Sequence, residues 1–362
     1  MIVSELKIYN FRRFRSVEGA PGLKITFHKG LNALIGENDS GKTAVIDALK
    51  LVLLTQSNEY IRPVEEDFYK PVDGDACSEF KIDCEITEFT QNEAKNFIEY
   101  LTFKKDGDKI EYMLELHYRA WKEGHKIFQE LRVGDINDSI SIDGKARDLL
   151  KAVYLKPLRD AEREMSSGRG SRISQILLNH PIFKDKKEHE ILEIFQEANN
   201  KIETYFLSDE EGKYILQTIR NNLKSFNDNG QASDAELRTS DIQLKAILES
   251  LSLNAPELNP GLGELNLLFI AAELLLLKED SDGGMKLALI EELEAHLHPQ
   301  AQLRLISYLQ NEYNENDVQI IISTHSPILA SKINLKNLIL MKDGFGYDLA
   351  EGKTGLQKGD YL

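Results

Sequence analysis

Cysteine is scarce in this chain of 362 residues, in which Cys77 and Cys84 are the only two. Two cysteines are too few for a disulfide framework, and their spacing fits no zinc-binding pattern. We therefore expect both to be buried thiols of a protein in the reducing cytoplasm. Long apolar runs are also missing. The longest, Leu265 to Leu277, contains Asn266 and Glu273, and it predicts a buried helix because it is too short to cross a bilayer.

Positive charge is in the minority, since 44 Lys and Arg stand against 60 Asp and Glu and the formal net charge is −16. This balance disfavours nonspecific binding of nucleic acid by the whole surface. One local exception remains open, because the segment 159–172 contains Arg159, Arg163, Arg169 and Arg172 and could be either a basic groove or a surface loop. The chain starts directly with a strand pattern and shows no signal peptide. Its composition predicts a soluble globular protein of two or three compact units.

The most informative segment that is present lies between residues 31 and 43. Gly36, Gly41, Lys42 and Thr43 fit the phosphate-binding pattern Gly-x-x-x-x-Gly-Lys-Ser/Thr. An apolar strand pattern precedes it and a helical pattern follows, so the backbone N–H groups would surround a polyanion at a helix N-terminus. We predict that Lys42 reaches the β- and γ-phosphates of ATP and that the Thr43 hydroxyl holds Mg²⁺. The loop residues predicted to bind the nucleotide are Gly36, Glu37, Asn38, Asp39, Ser40, Gly41, Lys42 and Thr43.

The rest of the pattern predicts an α/β fold with two additions. Repeated alternation between Phe80 and Ile142 indicates an antiparallel sheet. From Ser174 to about Leu253 the pattern is helical and strongly charged, which indicates a helical insertion. No heptad repeat is sustained there, so a coiled coil is excluded. We divide the chain at 1–170, 171–255 and 256–362, with the middle segment as a helical insertion that mediates dimerisation.

Two further apolar strands end in residues that suit phosphate chemistry. Leu287 to Ile290 is followed by Glu291 and Glu292, and Val318 to Ile322 is followed by Ser323-Thr-His325. Ligands of open parallel sheets lie outside the carboxyl ends of the strands, and one sheet could bring these ends to the phosphate loop. We predict that Glu291 orients Mg²⁺ through its water shell and that Glu292 positions the attacking water. His325 would contact the γ-phosphate and sense its loss.

Two neighbouring segments keep alternative interpretations. The Gly-rich segment 259–264 precedes the apolar helix and is either a second anion site at a helix N-terminus or an ordinary helix start. His296 and His298 follow the glutamate pair and could suggest zinc, but residues two apart do not share a helix face.

These residues together resemble ATP-binding-cassette ATPases of the structural-maintenance-of-chromosomes type. The resemblance rests on Asn10-Phe-Arg-Arg-Phe14, the phosphate loop, the glutamate pair and His325. Within that group, four segments resemble the OLD (overcoming lysogenization defect) family: Tyr154–Ala161, Gly261–Leu268, Ile290–Pro299 and Ser323–Pro327. The resemblance implies an ABC-type ATPase head, formed by the first and last of the three segments of the chain.

In ATPases of this type two heads meet head to tail, and a Gly-rich signature turn of one head closes on the γ-phosphate held by the other. Gly261 and Gly263 match that turn by position, although its usual serine-rich form is missing. Arg12 and Arg13 are carried over as further nucleotide-binding residues. Segment 295–298 falls where the D-loop crosses the dimer interface, and Asp67 is a weak candidate for the Q-loop residue.

The resemblance also implies a partner activity. OLD proteins typically carry a TOPRIM nuclease domain after the ATPase, and no acidic set for such a domain remains in this chain, so we expect no DNA cleavage by it alone. ATP would then gate a DNA endonuclease, in defence against phage as in Gabija-like or retron-associated systems. One alternative stays open, a nucleotide-switched scaffold that clamps DNA or a partner with little turnover. A second, the nucleotide-binding subunit of a transporter, is disfavoured by the missing Leu-Ser-Gly-Gly-Gln signature and by the large helical insertion.

Overall fold

The computed structural model of the chain describes most of its residues. Described are residues 1–56, 61–106, 109–156, 167–168, 171–180, 182–183, 186, 188–226, 237, 239, 243–251, 262–279, 283–295, 297–313, 318–350 and 352–355. The described chain forms two compact units, one made of 1–161 with 257–362 and the other of 162–256. Of the helices in these ranges, none is long and apolar enough to cross a membrane.

The first unit contains all the described strands. In chain order they are β1 Ile2–Tyr9, β2 Leu23–Thr26, β3 Leu31–Ile35, β4 Glu79–Thr87, β5 Thr102–Asp106, β6 Lys109–Glu123, β7 Lys126–Val133, β8 Ile140–Ser141, β9 Val153–Leu155, β10 Leu287–Glu291, β11 Gln319–Thr324, β12 Leu338–Lys342 and β13 Phe345–Asp348.

The described helices belong to both units. In chain order they are α1 Lys42–Leu53, α2 Gln91–Lys95, α3 Gly144–Asp148, α4 Arg172–Asn179, α5 Glu190–Ser208, α6 Glu210–Phe226, α7 Leu244–Ser250, α8 Leu262–Glu279, α9 Pro299–Tyr313 and α10 Pro327–Lys332, with short 3₁₀ turns at Glu65–Asp67 and Leu335–Asn337. Helices α4 to α7 form the second unit. Helix α8 confirms the buried helix that the apolar run predicts.

Two sheets organise the first unit. One is antiparallel, with the order β2-β1-β4-β6-β7-β8 and β5 paired to β6. The other has the order β13-β12-β3-β11-β10-β9, and its strands β12, β3, β11, β10 and β9 are parallel. The predicted α/β class with an antiparallel sheet is confirmed.

Helix α1 forms the centre of the core of this unit. Eight of its residues are buried: Ala44, Val45, Ile46, Ala48, Leu49, Leu51, Val52 and Leu53. A helix that is apolar almost all round needs cover on several sides, and α1 contacts β4 and β6 of one sheet as well as β10 and β11 of the other. Its N-terminus therefore has a fixed position at the carboxyl end of β3.

The two cysteines are free thiols. Cys84 is buried inside β4, whereas Cys77 is only partly buried. The expectation that both are buried is wrong for Cys77, because this residue precedes β4 and lies in a connecting segment.

Candidate nucleotide-binding and catalytic site

The phosphate loop connects β3 to α1 and depends on two glycines. The φ angles of Gly36 and Gly41 are 155° and 103°, values that favour glycine. A Cβ on Gly36 would lie 2.4 Å from the carbonyl oxygen of Met341, and one on Gly41 would lie 2.5 Å from Cζ of Phe14. Neighbouring backbone and a buried aromatic ring therefore leave no room for a side chain at either position.

Lys42 lies inside this loop. Its Nζ donates to the carbonyl oxygens of Gly36 at 2.8 Å and of Glu37 at 2.6 Å, and to Oγ of Ser40 at 3.3 Å. The ammonium group is thus held where phosphate oxygens would lie, with loop oxygens as its partners. Binding of a phosphate would exchange these partners for charged ones, which form stronger hydrogen bonds.

The surroundings of Lys42 connect the loop to the acidic strand ends. Burial lowers the pKa of Lys42, while the negative charges of Glu294, Asp39 and Glu292 act in the opposite direction. These carboxylates therefore lie within electrostatic reach of the ammonium group. The lysine and the acidic segment after β10 belong to one site.

The three strand ends that the sequence singles out are neighbours in the parallel sheet. Glu291 on β10 pairs in register with Ser323 on β11, and Ser323 pairs with Leu34 on β3. Thr324 pairs with Ile35, the last residue before the phosphate loop. The glutamate pair, the Ser-Thr-His segment and the loop therefore lie along one edge of the sheet.

Glu291 is a partly buried residue whose carboxylate has one strong partner. Its Oε2 accepts a hydrogen bond from the hydroxyl of Tyr154 at 2.6 Å, and its Oε1 is buried without a hydrogen-bond partner. Burial raises the pKa of Glu291, and the bond from Tyr154 opposes that rise. An orphaned carboxylate oxygen is a ready ligand for a hard cation or its water. Thr43 is exposed in the first turn of α1. The hydroxyl of Thr43 and the carboxylate of Glu291 therefore fit the oxygen preference of Mg²⁺.

Glu292 has an unusual backbone. Its φ angle is 46°, a left-handed conformation that is costly for a residue with a Cβ. The side chain is exposed at the end of β10. Strained backbone of this kind concentrates at functional sites, and here it turns the second glutamate of the pair out of the strand.

His325 lies beside the loop and is held by a carboxylate that the motif analysis misses. Nδ1 of His325 is 2.9 Å from Oε1 of Glu294, and the imidazole is half exposed while the Glu294 side chain is 9% exposed. A cavity of 550 Å³ is lined by His325 together with Gly36, Glu37 and Asn38. The loop and the histidine therefore face a shared space large enough for a phosphate group.

The two predicted arginines differ in their surroundings. Arg12 forms ion pairs with Asp47 of α1 at 2.7 Å and with Asp67 at 2.9 Å. Burial alone would lower the pKa of Arg12, but these two carboxylates raise it. Asp67, the weak Q-loop candidate, is buried and also accepts the N–H of Val64. Arg13 is exposed, and its Cδ lies 3.2 Å from a Cβ built on Gly41, so of the two it is the one that lies against the phosphate loop.

The remaining predicted residues are less defined. Helix α8 begins at Leu262, three residues earlier than the apolar run suggests, so Gly263 lies in its first turn and not before it. Gly261, Arg159, Arg163, Arg169 and His296 lie outside the described residues. Within the described part, no three His, Cys, Asp or Glu side chains group as a metal cluster, which gives the zinc alternative no support there.

Comparison with known proteins identifies the family. The model of the AAA ATPase domain family (AAA_15) matches residues 1–330. The chain belongs to this family. It is also similar to curated proteins with related ATPase domains, and it spans 62% or less of the length of those described next.

Three relatives illustrate the range. The OLD nuclease of Thermus scotoductus is 24% identical over 94% of this chain and 62% of the relative. The Retron Vc95 probable ATPase of Vibrio cholerae is 23% identical over 62% of this chain and 37% of the relative. The DNA double-strand break repair Rad50 ATPase of Pyrococcus abyssi is 23% identical over 49% of this chain and 18% of the relative.

Solved structures agree on the fold. The Smc head bound to the C-winged helix domain of ScpA superimposes with a TM-score of 0.53 at 15% identity, covering 95% of this chain and 96% of that one. The similarity shows that the chain has the fold of an Smc head, which is the fold that the resemblance implies.

Proposed function

We propose that this ATPase-family chain binds ATP with Mg²⁺ and hydrolyses it slowly. The proposal rests on one observation: three sets of residues suited to phosphate chemistry lie at adjacent strand ends. They are the loop with Lys42, the pair Glu291 and Glu292, and His325. Phosphoryl transfer requires mainly positioning and charge neutralisation, and these groups are of the type that supplies both.

Each residue then has one task. Lys42 neutralises the β- and γ-phosphate oxygens, while the loop N–H groups at the start of α1 hold them in place. Glu292 accepts a hydrogen bond from the attacking water and orients it in line with the γ-phosphate. His325 contacts the γ-phosphate oxygens. Thr43, and Glu291 through a water shell, would hold Mg²⁺, which would supply positive charge that neutralises the leaving phosphates.

Steady-state release of phosphate from ATP tests the proposal. The parent chain is compared with Lys42→Ala, Glu292→Gln and Glu115→Gln, the last being a half-buried glutamate of β6 on the antiparallel sheet. We expect turnover to fall by about 100-fold or more in the first two variants and to be unchanged in the third. Binding of ATP should be lost in Lys42→Ala and retained in Glu292→Gln. Turnover that survives either change would contradict the assigned roles.

The rival proposal is a nucleotide-switched scaffold. It is favoured by Lys42, whose ammonium group is already satisfied by loop oxygens, so that ATP would act by exchanging these bonds and need not turn over. The same variants decide between the two. A scaffold would bind ATP tightly, release no phosphate, and behave identically in the parent chain and in Glu292→Gln.

We also propose that α5 and α6 of the second unit mediate a homodimer or a higher homo-oligomer. No residue of α5 is buried, and the two helices expose an unusual set of large apolar side chains: Ile194, Ile202, Tyr205, Leu207, Tyr214, Ile215 and Ile219. Exposed apolar patches on this scale mark interaction sites. Sedimentation of Ile194→Lys should show a smaller species, whereas Ile98→Lys, at a still more exposed site of the first unit, should not.

The wider role that we propose is regulation of a DNA endonuclease in anti-phage defence, within the cytoplasm. Support comes from two relatives, one described as an OLD nuclease and the other as a retron ATPase. The nuclease in this proposal is an associated domain or partner, and DNA would be contacted through it. Protection of cells against phage by the whole system, lost with Lys42→Ala, would test this role.

A further inference from the structure

Glu294 accepts two hydrogen bonds from the segment that carries His325, and its carboxylate also lies beside the imidazole of that residue. Oε1 receives the backbone N–H of His325 at 2.8 Å and lies 2.9 Å from its Nδ1. Oε2 receives the hydroxyl of Thr324 at 2.7 Å. A carboxylate oxygen only accepts hydrogen bonds, so this short separation favours the form of the imidazole that carries a proton on Nδ1. Nε2 is then the ring nitrogen that remains for a ligand.

The groups around the carboxylate are themselves fixed. Thr324 is 1% exposed, and its Oγ1 accepts the N–H of Ser326 at 3.0 Å. Ser326 caps the N-terminus of α10. The turn that carries His325 is therefore held by the end of β11, by the start of α10 and by Glu294. Without the Glu294 carboxylate the first two anchors of the turn would remain, while the imidazole would lose its partner.

Glu294 also begins a segment with contacts in other elements. The carbonyl of Ala295 accepts from Nδ2 of Asn266 on α8 at 3.1 Å. The carbonyl of Leu297 accepts from Nε2 of Gln302 on α9 at 2.9 Å, and Oε1 of Gln302 accepts from Oγ of Ser326 at 3.1 Å. Glu294, Ala295 and Leu297 thus link α8 and α9 to the histidine turn through hydrogen bonds.

We propose that Glu294 is a positioning residue for ATP hydrolysis, which fixes the imidazole of His325 so that Nε2 faces the γ-phosphate. This inference rests on the proposed function. The carboxylate in question is not Glu292, which is assigned to the water, but the residue two positions further on. A carboxylate behind a histidine sets both its tautomer and its orientation, and loss of such a partner typically costs about 10- to 100-fold in activity.

A double-mutant cycle tests the proposal. The variants are Glu294→Ala, Glu294→Gln, His325→Ala and the double variant of Glu294→Ala with His325→Ala, with Glu115→Gln as control. We expect Glu294→Ala to lower kcat by about 10- to 100-fold, while the Kd for ATP rises by a smaller factor of less than about threefold. Glu294→Gln keeps an acceptor oxygen and should lose less. In the His325→Ala background, Glu294→Ala should have almost no further effect. Multiplying losses would overturn the proposal.

Two further measurements do not depend on ATP turnover. Heteronuclear NMR of the histidine nitrogens should show the proton of the His325 ring on Nδ1 in the parent chain and no longer on Nδ1 in Glu294→Ala. The signals that disappear in His325→Ala identify this ring. The ratio of the Kd values for ADP and ATP should fall in both Glu294 variants, because γ-phosphate recognition weakens. An unchanged tautomer or an unchanged ratio would overturn the proposal. A chain that binds ATP and releases no phosphate would contradict the proposed hydrolysis instead. If Glu294→Ala does not fold, the ratio of the Kd values in Glu294→Gln carries the test.

Discussion

Tyr154→Phe removes a single hydroxyl from the best-defined polar contact of the site. That hydroxyl donates to Oε2 of Glu291 at 2.6 Å, and Oε1 of the same carboxylate is buried without a partner. Nζ of Lys50 lies 3.8 Å from the centre of the Tyr154 ring, a contact that phenylalanine preserves. The substitution therefore isolates the hydrogen bond from the packing of the ring.

The size of the effect follows from the charge of the acceptor. A hydrogen bond to a charged group stabilises a fold by about 1.5–3 kcal/mol. Burial already raises the pKa of Glu291 above its ordinary value of 4.5, and the Tyr154 bond lowers it. Without that bond the pKa rises further. A raised carboxyl pKa means that stability is lost as pH rises, because the unfolded chain ionises first.

The free energy of unfolding should therefore diverge between the parent chain and Tyr154→Phe as the pH increases. The two should be close near pH 4.5, the ordinary pKa of the carboxyl, and should differ by about 1.5–3 kcal/mol above the pKa that the variant has in the folded state. Urea unfolding at a series of pH values measures this difference. ATP turnover at neutral pH should fall by about 10- to 100-fold.

Tyr118→Phe is the matched control. The hydroxyl of Tyr118 donates to the neutral Oε1 of Gln129 at 2.7 Å, so its loss should cost only about 0.5–1.5 kcal/mol, independent of pH in this range. A pH-independent difference for Tyr154→Phe, equal to that of the control, would show that the hydroxyl does not act on an ionised Glu291.

Three further predictions concern single positions. Gly41→Ala should destabilise the fold by about 2–5 kcal/mol and abolish ATP binding, measured by calorimetry, because a Cβ would combine left-handed backbone with overlap of the buried Phe14 ring. His117→Gln should cost about 1 kcal/mol at pH 6, and the cost should vanish as pH rises, because Asp83 raises the pKa of His117 and its contribution is lost through that pKa; a constant difference in urea titrations would contradict this. Cys84 should resist thiol reagents until the chain unfolds, since burial raises the pKa of its thiol, and rapid labelling of both cysteines would refute it.

The sequence was sufficient to predict the fold and the elements that carry the site. Strand β3 spans the residues that its apolar run predicts, and α8 extends the predicted helix by a few residues at each end. The adjacency of the three strand ends follows from a general rule of parallel sheets. Whether Glu292 and His325 act as predicted is a question of chemistry, which the variants above address.

Other features were beyond motif reasoning because they depend on pairing between distant segments. Arg12 binds Asp47 and Asp67, 35 and 55 residues further along the chain, so an arginine expected to contact the nucleotide has two carboxylates as partners. Glu294 lies within a recognised segment, but nothing in its spacing separates it from an ordinary polar residue. Its partner, His325, is 31 residues away.

The position of Tyr154 shows that motif spacing lacks the order and register of the strands. Strand β9 pairs in parallel with β10, and Tyr154 lies opposite Leu289 in the register. Because side chains alternate along a strand, Leu289 and Glu291 share a face of the sheet, and a long side chain opposite the first can reach the second. Once the order β11-β10-β9 is known, the contact of the hydroxyl with Glu291 is therefore expected from register alone. Motif spacing identifies residues that could contact phosphate, whereas sheet order identifies the residues that hold them. In this chain the Ser-Thr-His segment follows β11 on one side of β10, and Tyr154 lies on β9 on the other side.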